Sequence, residues 1–292
     1  MLRAILTLAA LIPVAAQAAN LGIFESATDI GSPKFPGKVA LENGAYTVHG
    51  GGSNMWFSSD TFHFVWKKVS GDVSLAADIL IPLATGGDPH RKAVLMVRQS
   101  LDADSAYADA ALHGDGLTSL QYRETKGART YEIQANTRQP ARLQIEKRGK
   151  YVSMSIAGND GQLKPAGGSF RLILEEPFYI GLGVCAHNDD RLEKAVFTEV
   201  KLSTNTSPGT NLWSVLETVP IASKDRRVVF TTPGRIEAPN WTLDGSNLVY
   251  NAQGRIHSIP WTGGAPKTID TGFMWYDKTN IDSAEIKAVL YE

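Results

Sequence analysis

Cysteine is almost absent from this sequence: Cys185 is the single one in 292 residues. A lone cysteine excludes an internal disulfide framework, so a hydrophobic core must hold the fold together. Apolar residues make up 43% of the chain, which is enough for such a core and argues against disorder. Because Cys185 ends an apolar run that begins at Ile180, we expect it to be a small core residue.

An excess of charge is also missing, since 29 lysines and arginines balance 30 aspartates and glutamates. A nucleic-acid partner would need a concentrated basic surface, and we therefore expect none. The apolar stretch from Leu2 to Val14 is too short to cross a membrane. We expect no membrane span in the mature chain.

That stretch has the features of a secretory signal peptide. Arg3 gives it a positive start, and Ala16-Gln17-Ala18 fits the small-x-small cleavage rule. The sequence therefore predicts a signal peptide over residues 1–18 and a periplasmic or secreted protein. An uncleaved N-terminal anchor is the alternative.

Signatures of catalysis are missing as well. A glycoside hydrolase needs two carboxylates on one face at a fixed separation, and no local run of this kind occurs. No serine lies in Gly-x-Ser-x-Gly, and the six histidines lack zinc-site spacing. We expect no catalytic residues, metal or cofactor. Acidic turn residues such as Asp102 and Asp104 leave bound calcium open, although such residues are more often turn formers.

What the sequence does contain is a long series of short alternating strands separated by glycine-rich turns, without an amphipathic helix. This pattern predicts an all-β jelly-roll sandwich over residues 19–202. Ala93–Val97 is apolar on both faces and should lie between two layers. The predicted strands are Ala45–Val48, Phe62–Trp66, Val73–Ile81, Ala93–Gln99, Tyr107–Leu112, Leu117–Arg123, Ala141–Lys147, Tyr151–Ile156, Phe170–Leu174, Phe178–Val184 and Ala195–Leu202.

Two consecutive strands of this series have one polar face each. Because a tight turn joins them, they should pair and merge these faces into one surface. Arg, Asp, Gln, His and Tyr side chains supply the planar donors, acceptors and ring that sugar recognition uses. The candidate ligand-binding residues are Arg98, Tyr107, Asp109, His113, Gln121 and Arg123. The alternative is a solvated or self-paired sheet face, in which Asp109 bridges Arg98 or Arg123. Trp56, beside a glycine loop, is a candidate for stacking on a sugar.

The chain changes character after the sandwich. Residues 203–211 have linker composition, residues 212–271 read as part of a propeller blade, and residues 272–292 form an atypical tail. One repeat cannot bury its own hydrophobic face, so we expect an incomplete domain here. In the tail, Asp282 and Glu285 have the spacing of a helix cap.

Two family resemblances accompany these patterns. Ala238–Tyr250, Ile256–Ile259 and Gly263–Pro266 resemble a repeat of TolB-like, WD-type β-propellers. That resemblance implies that Trp241 packs between blades and that Asp244-Gly245 forms a hairpin turn; Leu243 departs from the proline usual there.

Residues 20–202 are similar to concanavalin A-like lectin/glucanase sandwiches. The motifs that carry this resemblance are Met55–Phe57, Phe62–Lys67 and Leu95–Ser100. It implies a concave strand face that often meets carbohydrate.

Together these observations favour an exported non-catalytic binding module for carbohydrate or a cell-envelope polymer. Two alternatives stay open. In the first, the sandwich is a structural accessory domain that docks on the TolB-like propeller of a longer form. In the second, it is a glycoside hydrolase with dispersed carboxylates.

Overall fold

The computed structural model describes residues 20–82, 87–158, 160–204 and 212–269. Within these ranges the chain is all-β, with 23 strands and no helix. No described segment offers a helix long and apolar enough to cross a bilayer. The predicted signal peptide at 1–18, residues 205–211 of the predicted linker and the predicted tail at 272–292 lie outside the described residues.

The larger sheet has nine strands. All neighbours in it are antiparallel except the pair formed by its seventh and eighth members. Its strands, in spatial order, are β1 (Ser26–Ile30), β6 (Phe62–Val69), β16 (Phe178–Cys185), β8 (Lys92–Arg98), β9 (Tyr107–His113), β10 (Thr118–Arg123), β11 (Tyr131–Gln134), β19 (Arg226–Pro233) and β18 (Trp213–Thr218).

The second sheet has eight strands and packs face to face with the first. Seven of them follow one path: β14 (Leu163–Pro165), β13 (Tyr151–Ala157), β12 (Arg142–Arg148), β7 (Val73–Leu80), β17 (Glu193–Ser203), β3 (Ala45–Gly50) and β2 (Lys38–Glu42). The eighth, β15 (Phe170–Arg171), pairs with β13 beside that path.

One apolar core fills the space between the two sheets. Period-two alternation produces it, because every second side chain of a strand points to the same face. Leu95 on β8 and Leu120 on β10 meet Leu75 on β7 and Phe197 on β17 in this core. The predicted all-β sandwich is therefore confirmed, and its core needs no disulfide.

A second apolar cluster covers the other face of the nine-stranded sheet. A short hairpin, formed by β4 (Met55–Trp56) and β5 (Ser59–Asp60), lies over it. Met55 packs there with Phe62 and Phe64, and Leu101 and Ala103 from the loop between β8 and β9 pack against the same cluster. We call this hairpin and the loop the roof. As predicted, β8 is buried on both faces, but the layer on its outer side is the roof.

The chain continues the nine-stranded sheet beyond residue 204. Strand β19 pairs in parallel with β11, and Glu217 on β18 accepts a hydrogen bond from Gly168 N at 2.5 Å. A separate four-stranded meander follows and packs on β18 and β19 through Leu216 and Val229. Its strands are β20 (Ile236–Trp241), β21 (Asn247–Ala252), β22 (Arg255–Pro260) and β23 (Lys267–Ile269).

Several strand predictions need correction. Strands β1, β2, β11 and β18 were not expected, and each of them has at most one fully buried residue, which is Ile133 in β11. The expected strand Phe170–Leu174 stops at Arg171. Ser203, placed in the linker by composition, is the last residue of β17.

Candidate functional site

The six predicted ligand-binding residues lie on three adjacent strands of the nine-stranded sheet. They are Arg98 on β8, Tyr107, Asp109 and His113 on β9, and Gln121 and Arg123 on β10. Asp109 lies opposite Gln121, and Tyr107 lies opposite both Arg98 and Arg123. The predicted pairing of β9 with β10 is therefore confirmed, and it brings the six residues onto one face.

The roof shields this face from solvent. Arg98, Tyr107, Asp109 and Arg123 are 0% exposed, and His113 and Gln121 are also buried. The six side chains do not form the open surface that the sequence suggested. A hairpin with two-residue strands has too little periodicity to be seen in the sequence, so its cover over the face was not anticipated.

An ion pair fastens the roof to the sheet. Arg123 donates to both carboxylate oxygens of Asp60, from Nη1 to Oδ2 at 2.9 Å and from Nη2 to Oδ1 at 2.7 Å. Arg98 Nη2 lies 3.6 Å from Asp60 Oδ2. Burial raises the pKa of the Asp60 carboxyl, and the two guanidiniums oppose that shift. In the alternative interpretation Asp109 bridges Arg98 or Arg123, but the structure places Asp60 in that position.

The arginines also bind backbone carbonyls of the roof and the adjacent loops. Arg123 donates to Phe57 O at 3.2 Å, to Ala128 O at 3.0 Å and to Ser105 O at 3.0 Å. Arg98 donates to Ser100 O at 2.6 Å. These bonds satisfy both buried guanidiniums, as buried charge requires. Both arginines therefore hold backbone in place and leave few donors for a ligand.

A hydrogen-bonded chain crosses the other end of the face. Lys92 Nζ donates to Gln121 Oε1 at 3.1 Å and to Met55 O at 2.8 Å. Gln121 Nε2 lies 3.4 Å from His113 Nε2, and His113 Nδ1 lies 3.0 Å from Leu117 O. Since an amide nitrogen only donates, His113 Nε2 accepts and its Nδ1–H donates to the carbonyl. Burial lowers the pKa of His113 to about 3, so its ring is neutral.

Asp109 is the exception in this well-bonded layer. Both of its carboxylate oxygens are buried, and neither has a hydrogen-bond partner among the described residues. Burial raises the pKa of Asp109 to about 8, although the charge of Lys92 opposes this shift. The same burial lowers the pKa of Lys92. The Asp109 carboxyl is therefore protonated at neutral pH.

The roof carries two consecutive aromatic side chains that differ in exposure. Trp56 is half-buried, and Lys92 Nζ lies 5.3 Å from the centre of its ring. Phe57 follows it at the turn of the hairpin and is 67% exposed. Ser58 and Ser59 beside it are exposed as well. We call Trp56, Phe57, Ser58 and Ser59 the aromatic tip.

Sequence reasoning missed Asp60 and Lys92. The sequence pattern could have identified Lys92, because period-two spacing places Lys92, Val94, Met96 and Arg98 on one face of β8. Asp60 gave no signal, because it lies in a two-residue strand of a serine-rich segment.

Among the described residues, no group of three or more His, Cys, Asp or Glu side chains has metal-site geometry. Asp102 and Asp104, considered as calcium ligands, both pair with Lys126. An open cleft of about 330 Å³ lies next to this pair. It is lined by Gln99, Ser100, Ser105, Ala106, Glu124, Thr125, Lys126, Ile173 and Glu175.

Comparisons with known proteins find similarity over only part of the chain. No protein-family model matches the chain. A stretch of 70 residues is 39% identical to the "Uncharacterized protein Atu1656" of Agrobacterium fabrum and covers 24% of each chain. The chain thus matches about a quarter of the length of this curated relative.

Three solved structures are similar in fold. A functionally unknown protein from Saccharomyces cerevisiae has a TM-score of 0.48 and 15% identity, over 62% of this chain and 97% of that one. Peanut lectin with a 9mer peptide has a TM-score of 0.36 and 8% identity, over 58% and 91%. Alginate lyase Aly36B with an alginate trisaccharide has a TM-score of 0.34 and 6% identity, over 62% and 88%. At these values none of the three assigns a family or a function to this chain.

Proposed function

We propose that this protein is an exported, non-catalytic binding module for carbohydrate or a cell-envelope polymer. One observation carries the proposal: the acid-base groups among the six predicted residues are buried beneath the roof, whereas the aromatic ring of Phe57 on the same roof is 67% exposed. The exposed ring offers a contact surface of the kind that a binding module uses.

The buried carboxylates favour binding over hydrolysis. A glycoside hydrolase places two carboxyl groups on either side of the scissile bond, where substrate and water must reach both. Asp60 of the roof and Asp109 of the sheet face are both 0% exposed, and Glu132, opposite Gln121 on β11, is half-buried. Asp60 is in addition engaged by Arg123. Hydrolysis by Asp60 and Asp109 would require the roof to detach.

The accessible groups suit a sugar. An aromatic ring packs on the apolar C–H face of a pyranose, and hydroxyl and amide groups nearby bond its hydroxyls. The aromatic tip supplies the ring and two serines, and the cleft beyond the roof supplies Gln99, Lys126 and Glu175. A concanavalin A-like sandwich, which the sequence resembles, is compatible with this use.

The test uses the full chain on a glycan array and in affinity gels that contain plant, algal and bacterial polysaccharides. We expect retardation on at least one polymer and no release of reducing sugar from it. The proposal would be abandoned if the folded protein bound no polymer in either format. Release of reducing ends from a bound polymer would instead establish the hydrolase.

A second proposal is that the sandwich is an accessory domain of a TolB-like propeller protein. It is favoured by the continuation of the nine-stranded sheet into β19 and by the meander that packs on it. Trp241 is 50% exposed and Leu243 fully so, as expected of a blade that awaits a neighbour. In a longer form of the protein, hydrogen exchange at Trp241 should be slower than in this chain. Equal exchange would remove this idea.

Export itself also stays a proposal, since residues 1–18 lie outside the described residues. Expression in a bacterial host and sequencing of the N-terminus of the periplasmic product should give Ala19 as the first residue. Retention of Met1 on a membrane-bound product would favour the uncleaved anchor.

A further inference from the structure

Phe57 has an unusual combination of conformation and exposure. Its φ is 53°, in the left-handed region that bulky L-residues rarely adopt. It is also 67% exposed, so burial of its ring does not offset that strain. The other described non-glycine residues with positive φ carry polar side chains or a methyl group: Asn43, Gln139, His187, Glu199, Ala238 and Gln253. Phe57 alone among them combines strain with an exposed hydrocarbon ring.

The position of Phe57 in the hairpin makes the choice of residue more unusual. Trp56 pairs with Ser59, so Phe57 and Ser58 are the two central residues of a tight turn. At a positive φ in such a turn, glycine, asparagine and aspartate are the favoured residues. Selection for stability alone would not place phenylalanine here, and backbone strain of this kind is concentrated at functional sites.

The sealed polar layer holds this turn from beneath. The carbonyl of Phe57 accepts hydrogen bonds from Thr130 N at 2.9 Å, from Thr130 Oγ1 at 2.9 Å and from Arg123 Nη2 at 3.2 Å. Arg123 is itself fixed by both oxygens of Asp60, on the next strand of the hairpin. Arg123 Nε also donates to the Phe57 carbonyl oxygen, at 3.4 Å. Four donor atoms on one carbonyl over-determine the backbone, so the ring of Phe57 is held outward.

We propose that Phe57 is the stacking residue of the carbohydrate site, and that Arg123, Asp60 and Thr130 are positioning residues for it. This inference rests on the proposed function and places its contact surface at the aromatic tip. The buried face that carries the six predicted residues then supports the backbone of Phe57 from beneath. It does not contact the ligand.

The surroundings of Phe57 favour a sugar over a lipid surface. Phe57 is flanked by the hydroxyls of Ser58 and Ser59, which are exposed and suited to sugar hydroxyls. A loop that enters a membrane displays several apolar side chains, and here the Trp56 ring is half-buried against Lys92. The net charge of −1 provides no attraction to anionic lipids.

The experiment compares stability with binding in the same variants. Phe57→Gly and Phe57→Asn relieve the strain, so their melting temperatures should be unchanged or a few degrees higher than that of the parent. Affinity for the polysaccharide that the parent protein binds should fall at least about tenfold, the loss expected when a stacked ring is removed. Phe57→Trp should keep the affinity within about threefold, since an indole stacks as well.

Asn43→Gly is the matched control, because it changes a positive-φ residue of another hairpin turn, that between β2 and β3. Asn43→Gly should change neither the melting temperature nor the affinity for the polysaccharide. Normal affinity of Phe57→Gly would overturn the inference and leave the proposed function standing. Absence of any polysaccharide binding by the parent would overturn both. Phe57-dependent binding to phosphatidylglycerol vesicles in its place would overturn the sugar assignment in favour of a membrane.

Discussion

Asp60 and Arg123 are 63 residues apart in the chain, yet they form a fully buried two-point ion pair with contacts of 2.7 and 2.9 Å. The pair joins a short hairpin to the middle of a nine-stranded sheet. It also converts a polar strand face into the interior of the molecule, because each charge is neutralised by the other and by backbone carbonyls.

Removal of the Asp60 charge should be strongly destabilising. Asp60→Asn leaves two buried guanidiniums without a counter-charge, and loss of one partner from a buried pair costs about 3–5 kcal/mol. Urea unfolding monitored by tryptophan fluorescence will measure this decrease in the free energy of unfolding. Asp102→Asn, at the exposed pair with Lys126, is the control and should change little. An Asp60 variant as stable as this control would show that the roof does not depend on the ion pair.

Asp109 should make stability depend on pH. Its pKa is 3.8 when unperturbed and about 8 in the fold, so between these values the native state binds a proton that the unfolded state lacks. Stability contributed by this group is therefore lost as pH rises, by about 1.4 kcal/mol per unit for a single proton. Lys92 acts in the opposite sense below 10.5, because its pKa is lowered in the fold.

Asp109→Asn isolates the contribution of the carboxyl from that of Lys92. The stability advantage of the variant over the parent protein should be larger at pH 9 than at pH 5, because the parent loses stability at Asp109 as pH rises from 3.8 towards 8. Denaturant unfolding at both pH values gives the difference. An equal difference at the two pH values would mean that Asp109 does not carry a proton in the folded state.

Glu217 should control the attachment of β18 and β19 to the sandwich. Its carboxylate accepts from Gly168 N at 2.5 Å and lies 3.3 Å from Arg226 Nη1. In Glu217→Ala, amides of β11 and β19 should exchange faster with deuterium, whereas those of β8 and β9 should not. Glu237→Ala, in an exposed pair, is the control. Unchanged exchange in β19 would show that backbone pairing alone holds this strand.

Gly52 and Gly44 should respond very differently to alanine. Both have positive φ, of 103° and 80°. A Cβ at Gly52 would lie 1.9 Å from the carbonyl oxygen of Thr61, whereas at Gly44 it would meet nothing within 4 Å. Gly44→Ala should cost about 1–2 kcal/mol from backbone strain alone. Gly52→Ala should cost far more and reduce the yield of folded protein. Similar melting temperatures for the two variants would contradict this account.

The particular elements show where sequence reasoning succeeded. Tyr107–His113 and Thr118–Arg123 alternate strictly and are joined by a glycine turn, so their pairing and shared polar face followed from spacing. Cys185 was expected in the core and is buried there. The register that sets Asp109 opposite Gln121 is a local property, fixed by the turn between the strands.

By itself the sequence determined the all-β class, the two-faced strands and the identity of the polar residues on one face, because side-chain alternation is encoded residue by residue. Only the tertiary structure decided that the roof buries this face and that Asp60 neutralises Arg98 and Arg123. It also decided that Phe57, and not the polar face, is exposed to solvent. These features depend on contacts between segments far apart in the chain, and no local period in the sequence records which distant segment covers a face.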